Sequence, residues 1–220
     1  MFGFVVIDGL DGSGKETQSK LLSSYLESKG KKVRLLSFPT YDEKGSCFVK
    51  MYLDGEFGSR PDDTNAYSSS VFYALDRFYS YKKDWQNDHS DENTVIIANR
   101  YTTANAVHQL SKLEEKEWDG FLEWLWDFEF VKLGLPSPDK VIYLEMPPEV
   151  SMKLIDKRSD DTGRKKDIHE KDANHLKNSY KAAKYSAKKL GWISINCCDE
   201  DGNLKTIEEI HEEIKKALGI

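Results

Sequence analysis

The run Gly9-Leu10-Asp11-Gly12-Ser13-Gly14-Lys15-Glu16-Thr17 carries the clearest chemistry in this chain. Gly9 and Gly14-Lys15 satisfy the spacing G-x-x-x-x-G-K. Glycines let a backbone curl so that successive N–H groups converge on one anion. A helix beginning at the end of such a turn adds the positive end of its dipole. Lysine at the last position supplies a mobile cation for terminal phosphates. The whole run, Gly9 to Thr17, is read as a phosphate-binding loop. The usual hydroxyl residue after the lysine is missing, and Glu16 stands in its place.

Such a loop needs a strand before it and a helix after it, and the sequence offers both. Short β-rich runs alternate with long helical patterns. The expected strands are Phe2–Asp8, Lys32–Phe38, Thr94–Asn99, Lys140–Glu145 and Gly191–Cys197. Their apolar character is mostly continuous, as in a sheet covered on both faces. Leu21, Leu22, Tyr25 and Leu26 form one helical stripe, and Phe121, Trp124, Leu125 and Phe128 form another. This alternation predicts an α/β fold: a three-layer sandwich with a five-stranded parallel sheet flanked by helices. A single domain is expected over residues 1–220. The charged segment Ser159–Glu170 reads as a lid-like loop or frayed helix within it, about 158–170.

The bulk properties exclude several function classes. A net charge of −6 argues against a general nucleic-acid binder, though not against a small anionic ligand. Cys47, Cys197 and Cys198 are odd in number and form no C-x-x-C, so neither a disulfide framework nor a thiolate zinc site is expected. They read as thiols of a reducing cytoplasm. No apolar run approaches the ~18 residues of a membrane span, so no membrane partner is expected. The apolar start is short, lacks a basic region and is interrupted by Asp8, so it reads as a strand, not a leader. The five histidines form no pattern such as H-E-x-x-H.

Three further segments narrow the reading. They are Phe38-Pro39-Thr40-Tyr41, Phe72-Tyr73-Ala74-Leu75-Asp76-Arg77 and Asn99-Arg100-Tyr101-Thr102-Thr103-Ala104-Asn105. In this order and spacing, with the loop before them and Gly163-Arg164-Lys165-Lys166-Asp167 after them, they resemble the thymidylate kinase family, from the first strand to the last helix. The resemblance implies transfer of the γ-phosphate of ATP to dTMP with Mg²⁺ as cofactor, in dTTP synthesis, by a cytoplasmic homodimer. The loop Gly9–Thr17 would then bind ATP, with Lys15 on its β/γ-phosphates. Phe38 and Tyr41 would lie against the dTMP sugar and phosphate. Tyr73 and Arg77, four apart on a predicted helix, share a face; the ring would stack on thymine and the guanidinium would meet the base carbonyl. Arg100 follows the third strand, where parallel sheets bind ligands, and offers a fork for a monophosphate. The amide of Asn105 can donate and accept at once, which suits a pyrimidine edge. Position 12 is Gly12, so the catalytic arginine is expected from the lid, as Arg158 or Arg164.

Plainer structural roles stand beside these. Tyr41 could be a turn tyrosine, Tyr73 and Arg77 a core aromatic with a snorkelling arginine, and Arg100 a structural ion-pair residue. Asn105 could lie on a helix surface. The lid cations could be a solvated loop balanced by Asp160, Asp161 and Asp167.

Three positions depart from the family pattern. Glu16 replaces Ser or Thr, Asn99 replaces an acid, and His108 replaces an aromatic residue tied to rejection of a 2′-hydroxyl. One acid lost and one gained suggests that Glu16 compensates for Asn99, so Asp11 and Glu16 are the candidate metal residues. Asp11 also lies near the sugar 3′-hydroxyl by resemblance. The rival reading is an exposed acid at a helix start, favoured by the dipole. Two other functions stay open: a kinase acting on dUMP or a deoxynucleoside, and a catalytically weak nucleotide-binding regulator.

Overall fold

A computed structural model describes residues 2–162, 168–169 and 172–220. Among these residues, β1 (Phe4–Gly9), β2 (Lys32–Ser37), β3 (Thr94–Asn99), β4 (Lys140–Glu145) and β5 (Ile193–Asn196) form one sheet. All four strand pairings are parallel, in the order β2-β3-β1-β4-β5. The expected strands all form. Two match their expected bounds and the other three shift by one or two residues at an end. β1, β3 and β4 occupy the middle and are buried almost throughout, whereas β2 and β5 lie at the edges and expose half or more of their residues. The apolar continuity read from sequence therefore reflects two-sided burial only in the centre.

Alternate residues of the central strands feed two separate cores. Phe4, Val6, Ile96, Ala98, Val141 and Tyr143 point into the first. It is closed by α3 (Ala66–Ser80), α5 (Thr103–His108), α6 (Trp118–Trp126) and α8 (Ala173–Leu190). Val5, Ile7, Val95, Ile97, Ile142 and Leu144 point into the second, closed by α1 (Lys15–Ser28) and α9 (Ile207–Leu218). Along Trp118–Phe130, Trp118, Phe121, Leu122 and Leu125 are buried in the first core, whereas Trp124, Trp126, Phe128 and Phe130 are only partly buried.

Two helices run on into π-turns that the sequence pattern did not reveal, Tyr81–Trp85 after α3 and Asp127–Lys132 after α6. The short helices α2 (Cys47–Leu53) and α4 (Gln86–Ser90), with α7 (Pro148–Thr162), complete the described helical layers. The charged segment expected as a lid is helical at its start, since α7 continues through Thr162. Ile168 and His169 are buried in a turn. Arg164 lies outside the described residues. No described helix is long and apolar enough to cross a membrane.

The π-turn after α3 carries Trp85, which is fully buried with its ring edge-on to Phe4, Tyr81 and Tyr101. Its indole N–H is buried without a hydrogen-bond partner among the described residues. Trp85→Ala should cost about 3–5 kcal/mol by emptying that space. Trp85→Phe should cost less, because it also removes an unpaired donor. Urea unfolding of both variants at unchanged m-value checks the order.

Candidate active site

Strand register brings the site together. Ile7 pairs with Asn99, and Ser37 pairs with the same Asn99 on its other side, so β1, β2 and β3 end at one edge. The Arg100 N–H donates to the Ile7 carbonyl at 3.0 Å, and the Phe38 N–H donates to the Asn99 carbonyl at 3.0 Å. The phosphate loop, the Phe38-Pro39 turn and Arg100 thereby face one cleft, at the carboxyl end of the sheet. The Phe38–Pro39 peptide is cis. The carboxylate of Asp76 on α3 accepts from the Thr40 N–H at 3.0 Å, which fixes the turn that carries Tyr41.

The loop is built as its glycines require. Gly12 and Gly14 have φ of 79° and 81°, a region that residues with a Cβ avoid. Gly14 is the N-cap of α1 and makes no side-chain cap, so the first N–H groups of that helix remain available to an anion. A Cβ on Gly12 would lie 3.0 Å from the carbonyl oxygen of Ser151 and 3.3 Å from Ile155 Cγ1, so α7 rests directly on the loop. The Ser151 hydroxyl donates to the Asp11 carbonyl oxygen.

Lys15 Nζ donates to the Leu10 carbonyl at 2.9 Å and lies 3.8 Å from Asp11 Oδ1. Burial and the nearby Arg100 lower its pKa to about 8, against the opposing pull of Asp11 and Asp8. Arg100 forms an ion pair with Asp11. Burial alone would raise the pKa of the Asp11 carboxyl, but the charges of Arg100 and Lys15 outweigh it and hold the group far below the usual range. Arg100 itself adopts a left-handed backbone, φ 65°, and its second amino group lies 3.4 Å from His108 Nε2. Asp8, fully buried at the end of β1, accepts from the Gly9 N–H at 2.8 Å and from the Thr103 hydroxyl.

The cleft has a volume of about 690 Å³. Residues 11–17 of the loop, Phe38, Tyr41, Tyr73, Arg100 and Arg158 all line it. Gly9 and Leu10 do not: Gly9 is the last residue of β1 and Leu10 is packed in the first core. A narrow recess of about 20 Å³ shares Phe38, Tyr73, Arg100 and His169 with the cleft and adds Arg77, Asn105 and His108. Every candidate acceptor residue thus lines the cleft or the recess. The two departures at positions 16 and 99 also share the cleft, but differ in setting. The Glu16 side chain is 68% exposed and pairs with Lys20 at 2.6 Å. Asn99 is buried; its amide donates to the Ser37 hydroxyl at 3.0 Å, and its Oδ1 has no partner among the described residues.

One buried carboxylate organises the recess, and sequence reasoning missed it. Glu129, on the π-turn after α6, is fully buried. It accepts from Arg77 Nε at 2.7 Å, from a terminal Arg77 nitrogen at 2.5 Å, from the Thr102 hydroxyl at 2.7 Å and from the Asn105 amide at 3.3 Å. Burial works against the Arg77 charge, but the Glu129 carboxylate more than compensates and raises its pKa. Arg77 therefore comes to the recess already held by a fork-to-fork pair, its remaining amino group donating to the Tyr101 carbonyl at 3.3 Å. The available signal was an acid placed inside an aromatic helical stretch, where an exposed face would not fall. Asp8 and His169 were missed as well. Asp8 was visible only as the one acid at the end of an apolar strand.

Glu129→Gln should leave the Arg77 charge buried without its counter-charge and cost about 3–5 kcal/mol. Adding Arg77→Met to that variant should recover part of the loss. Denaturant midpoints of the two single variants and the double variant check both statements.

The comparisons with known proteins agree with one another. A profile of the thymidylate kinase family, described as "Thymidylate kinase", matches residues 7–214. The thymidylate kinase of Mycobacterium tuberculosis (strain H37Rv) is 30% identical over 176 residues, covering 77% of this chain and 78% of the relative. That of Plasmodium falciparum (isolate 3D7) is 28% identical over 218 residues, covering 98% and 89%. A probable thymidylate kinase of Pyrococcus horikoshii is 32% identical over 154 residues, covering 69% of each. With the profile spanning nearly the whole chain, including the loop, the Arg100 turn and the recess, this chain belongs to the thymidylate kinase family of enzymes.

Proposed function

We propose that this enzyme transfers the γ-phosphoryl group of ATP to the phosphate of dTMP, giving dTDP for dTTP synthesis in the cytoplasm. The observation that carries the reading is the place of Arg100. It lines both the cleft that holds the phosphate loop and the recess that holds Arg77 and Asn105. A guanidinium there can grip an acceptor phosphate while the loop holds the donor.

An oxygen of the dTMP phosphate attacks the γ-phosphorus as the bond to the bridging oxygen breaks, and ADP leaves. The acceptor is already an anion, so no strong general base is needed. Catalysis is positioning and charge neutralisation. The loop N–H groups and Lys15 hold the β/γ-phosphates; the negative phosphates favour the charged form of a lysine whose pKa burial has lowered to about 8. Arg100 exchanges Asp11 for the acceptor phosphate. Tyr73 packs on the base, and Arg77 and Asn105, held by Glu129, meet its polar edge. The recess is smaller than a pyrimidine ring, so base entry requires its lining to open. Phe38 and Tyr41 flank sugar and phosphate, and His108 occupies the space near the sugar. Arg158 reaches the transferring group from α7, with Arg164 in the lid at about 158–170. Lid closure keeps water from the γ-phosphate.

The cleft also suits Mg²⁺. It offers an ionised Asp11 carboxylate and the unpartnered Oδ1 of Asn99, both oxygen donors of the kind that ion prefers. Bound with ATP, Mg²⁺ would neutralise charge on the phosphates. Glu16 lines the same cleft but points outward to Lys20, so Asp11 is the better-placed carboxylate of the two candidate metal residues. A homodimer is proposed from the family resemblance. The exposed Phe48 and Leu75, which line an open groove beside α2 and α3, supply apolar surface for pairing.

An ADP-release assay with ATP and a panel of acceptors tests the function. Turnover should be fastest on dTMP and roughly 10–200-fold slower on dUMP, since a methyl pocket separates them by about 1–3 kcal/mol. Faster turnover on dUMP or thymidine would move the activity to another acceptor. Nucleotide binding without turnover would make the protein a regulator.

Two variants test the site assignment. Arg100→Met should lower kcat/KM for dTMP by about 10²–10³, the usual cost of losing one charged donor to a transferring group. Glu16→Gln should leave the Mg²⁺ dependence of kcat within about threefold, because an exposed i,i+4 pair contributes only ~0.3–0.5 kcal/mol.

A further inference from the structure

Three histidines far apart in the sequence meet at the wall of the recess. His108 ends α5, His169 lies in the turn after α7, and His175 stands in the first turn of α8. All three are buried, at 4%, 6% and 6% exposure. One ring nitrogen from each lies within 4.8 Å of the other two. Ring centroids are 5.8 Å apart for His108 and His169, 6.0 Å for His108 and His175, and 4.6 Å for His169 and His175.

Ordinary core packing explains this arrangement poorly. An apolar core gains nothing from three imidazoles in contact, because each brings two nitrogens that need partners. Among the described residues, His108 Nδ1 is buried with none. The hydroxyl of Tyr52 lies 2.8 Å from His169 Nε2, and the hydroxyl of Ser179 lies 3.5 Å from His175 Nε2. Polar neighbours of this kind orient imidazole ligands around a metal ion.

We propose that His108, His169 and His175 form a binding site for a divalent late transition metal, of which Zn²⁺ is the type. Imidazole nitrogens suit Zn²⁺, Cu²⁺ and Ni²⁺ and are poor ligands for Mg²⁺, so the site is chemically separate from the magnesium of the phosphate loop. Tetrahedral Zn²⁺ with bonds of about 2.0–2.1 Å sets its ligand atoms about 3.3 Å apart. From separations of up to 4.8 Å, small side-chain rotations shared among three residues close the site. Burial disfavours the charged form of all three rings. The charges around the site are mixed. Arg100, Lys15 and Lys112 oppose a cation, while Asp11, Asp62 and Asp172 favour one. Burial also brings the pKa of Lys112 down to about 7, which weakens its opposition.

Occupancy would tie together α5, α8 and the turn after α7. It would also displace Arg100 from His108. A metal on Nε2 replaces the Arg100 contact, and a metal on Nδ1 leaves a proton on Nε2, which a guanidinium cannot accept.

The test uses the full chain after removal of metal by a chelator. Co²⁺ serves as the spectroscopic probe and Zn²⁺ as its competitor. One Co²⁺ per chain should bind with the visible absorption of a nitrogen-ligated tetrahedral centre. Zn²⁺ should abolish that absorption, and a large excess of Mg²⁺ should not. His175→Gln, at a position lining neither cleft nor recess, should weaken Co²⁺ binding at least about tenfold, and His169→Gln should do the same. No visible band in the wild-type protein would overturn the proposal. So would equal Co²⁺ affinity in wild type and the two variants. If a variant fails to fold, the wild-type spectrum and its stoichiometry decide alone.

Discussion

Arg100 takes its position from a backbone hydrogen bond to Ile7, made where β1 and β3 end side by side. That one parallel register sets the phosphate loop, the second-strand turn and the arginine around a common cleft. Slipping it by a single residue would exchange the two faces of β3, sending Ile97 toward the core that Ile96 now fills. The site is as rigid as the sheet because it is an extension of the sheet. The left-handed backbone of Arg100 shows the same dependence, since a bulky residue holds φ 65° only where its surroundings enforce it.

The electrostatics follow from that convergence. Lys15, Arg100 and Arg158 are brought to one cleft, and Asp8 and Asp11 keep the assembly from repelling itself. Lys15 rests on a loop carbonyl and Arg100 on Asp11, so each cation has a provisional partner. Phosphates would take over both contacts. A second balance operates in the recess, where Glu129 holds Arg77 and Asn105 together. There the pair is buried and permanent, which suits residues that must present a fixed pattern of donors. Asp11 keeps a small exposed area in the cleft, whereas Glu129 has none.

The sequence revealed the elements that obey a period and the residues that obey a spacing. β1, β3 and β4 are continuous apolar runs because both faces are covered, and the glycine spacing of the loop follows from its backbone geometry. Arg100 and Asn105 could be placed because strand ends and helix starts are legible. Glu129 could not, because its meaning depends on Arg77 and Asn105, residues on two other helices. The histidines are the extreme case, for 67 residues separate His108 from His175 and no local pattern joins them. The helical stripe of Phe121, Trp124 and Leu125 was legible as well, since α6 buries Phe121 and Leu125 in the first core and packs Trp124 against it.

Gly12 links two parts of the molecule that look independent. Its missing Cβ is what allows Ser151 and Ile155 of α7 to lie against the loop, and α7 is the helix that carries Arg158. A larger side chain at position 12 would have to push that helix outward. An arginine at position 12 would press its first atoms against Ser151, Leu154 and Ile155. The close fit at one glycine therefore couples the shape of the phosphate loop to the place of the helix that carries Arg158 to the cleft.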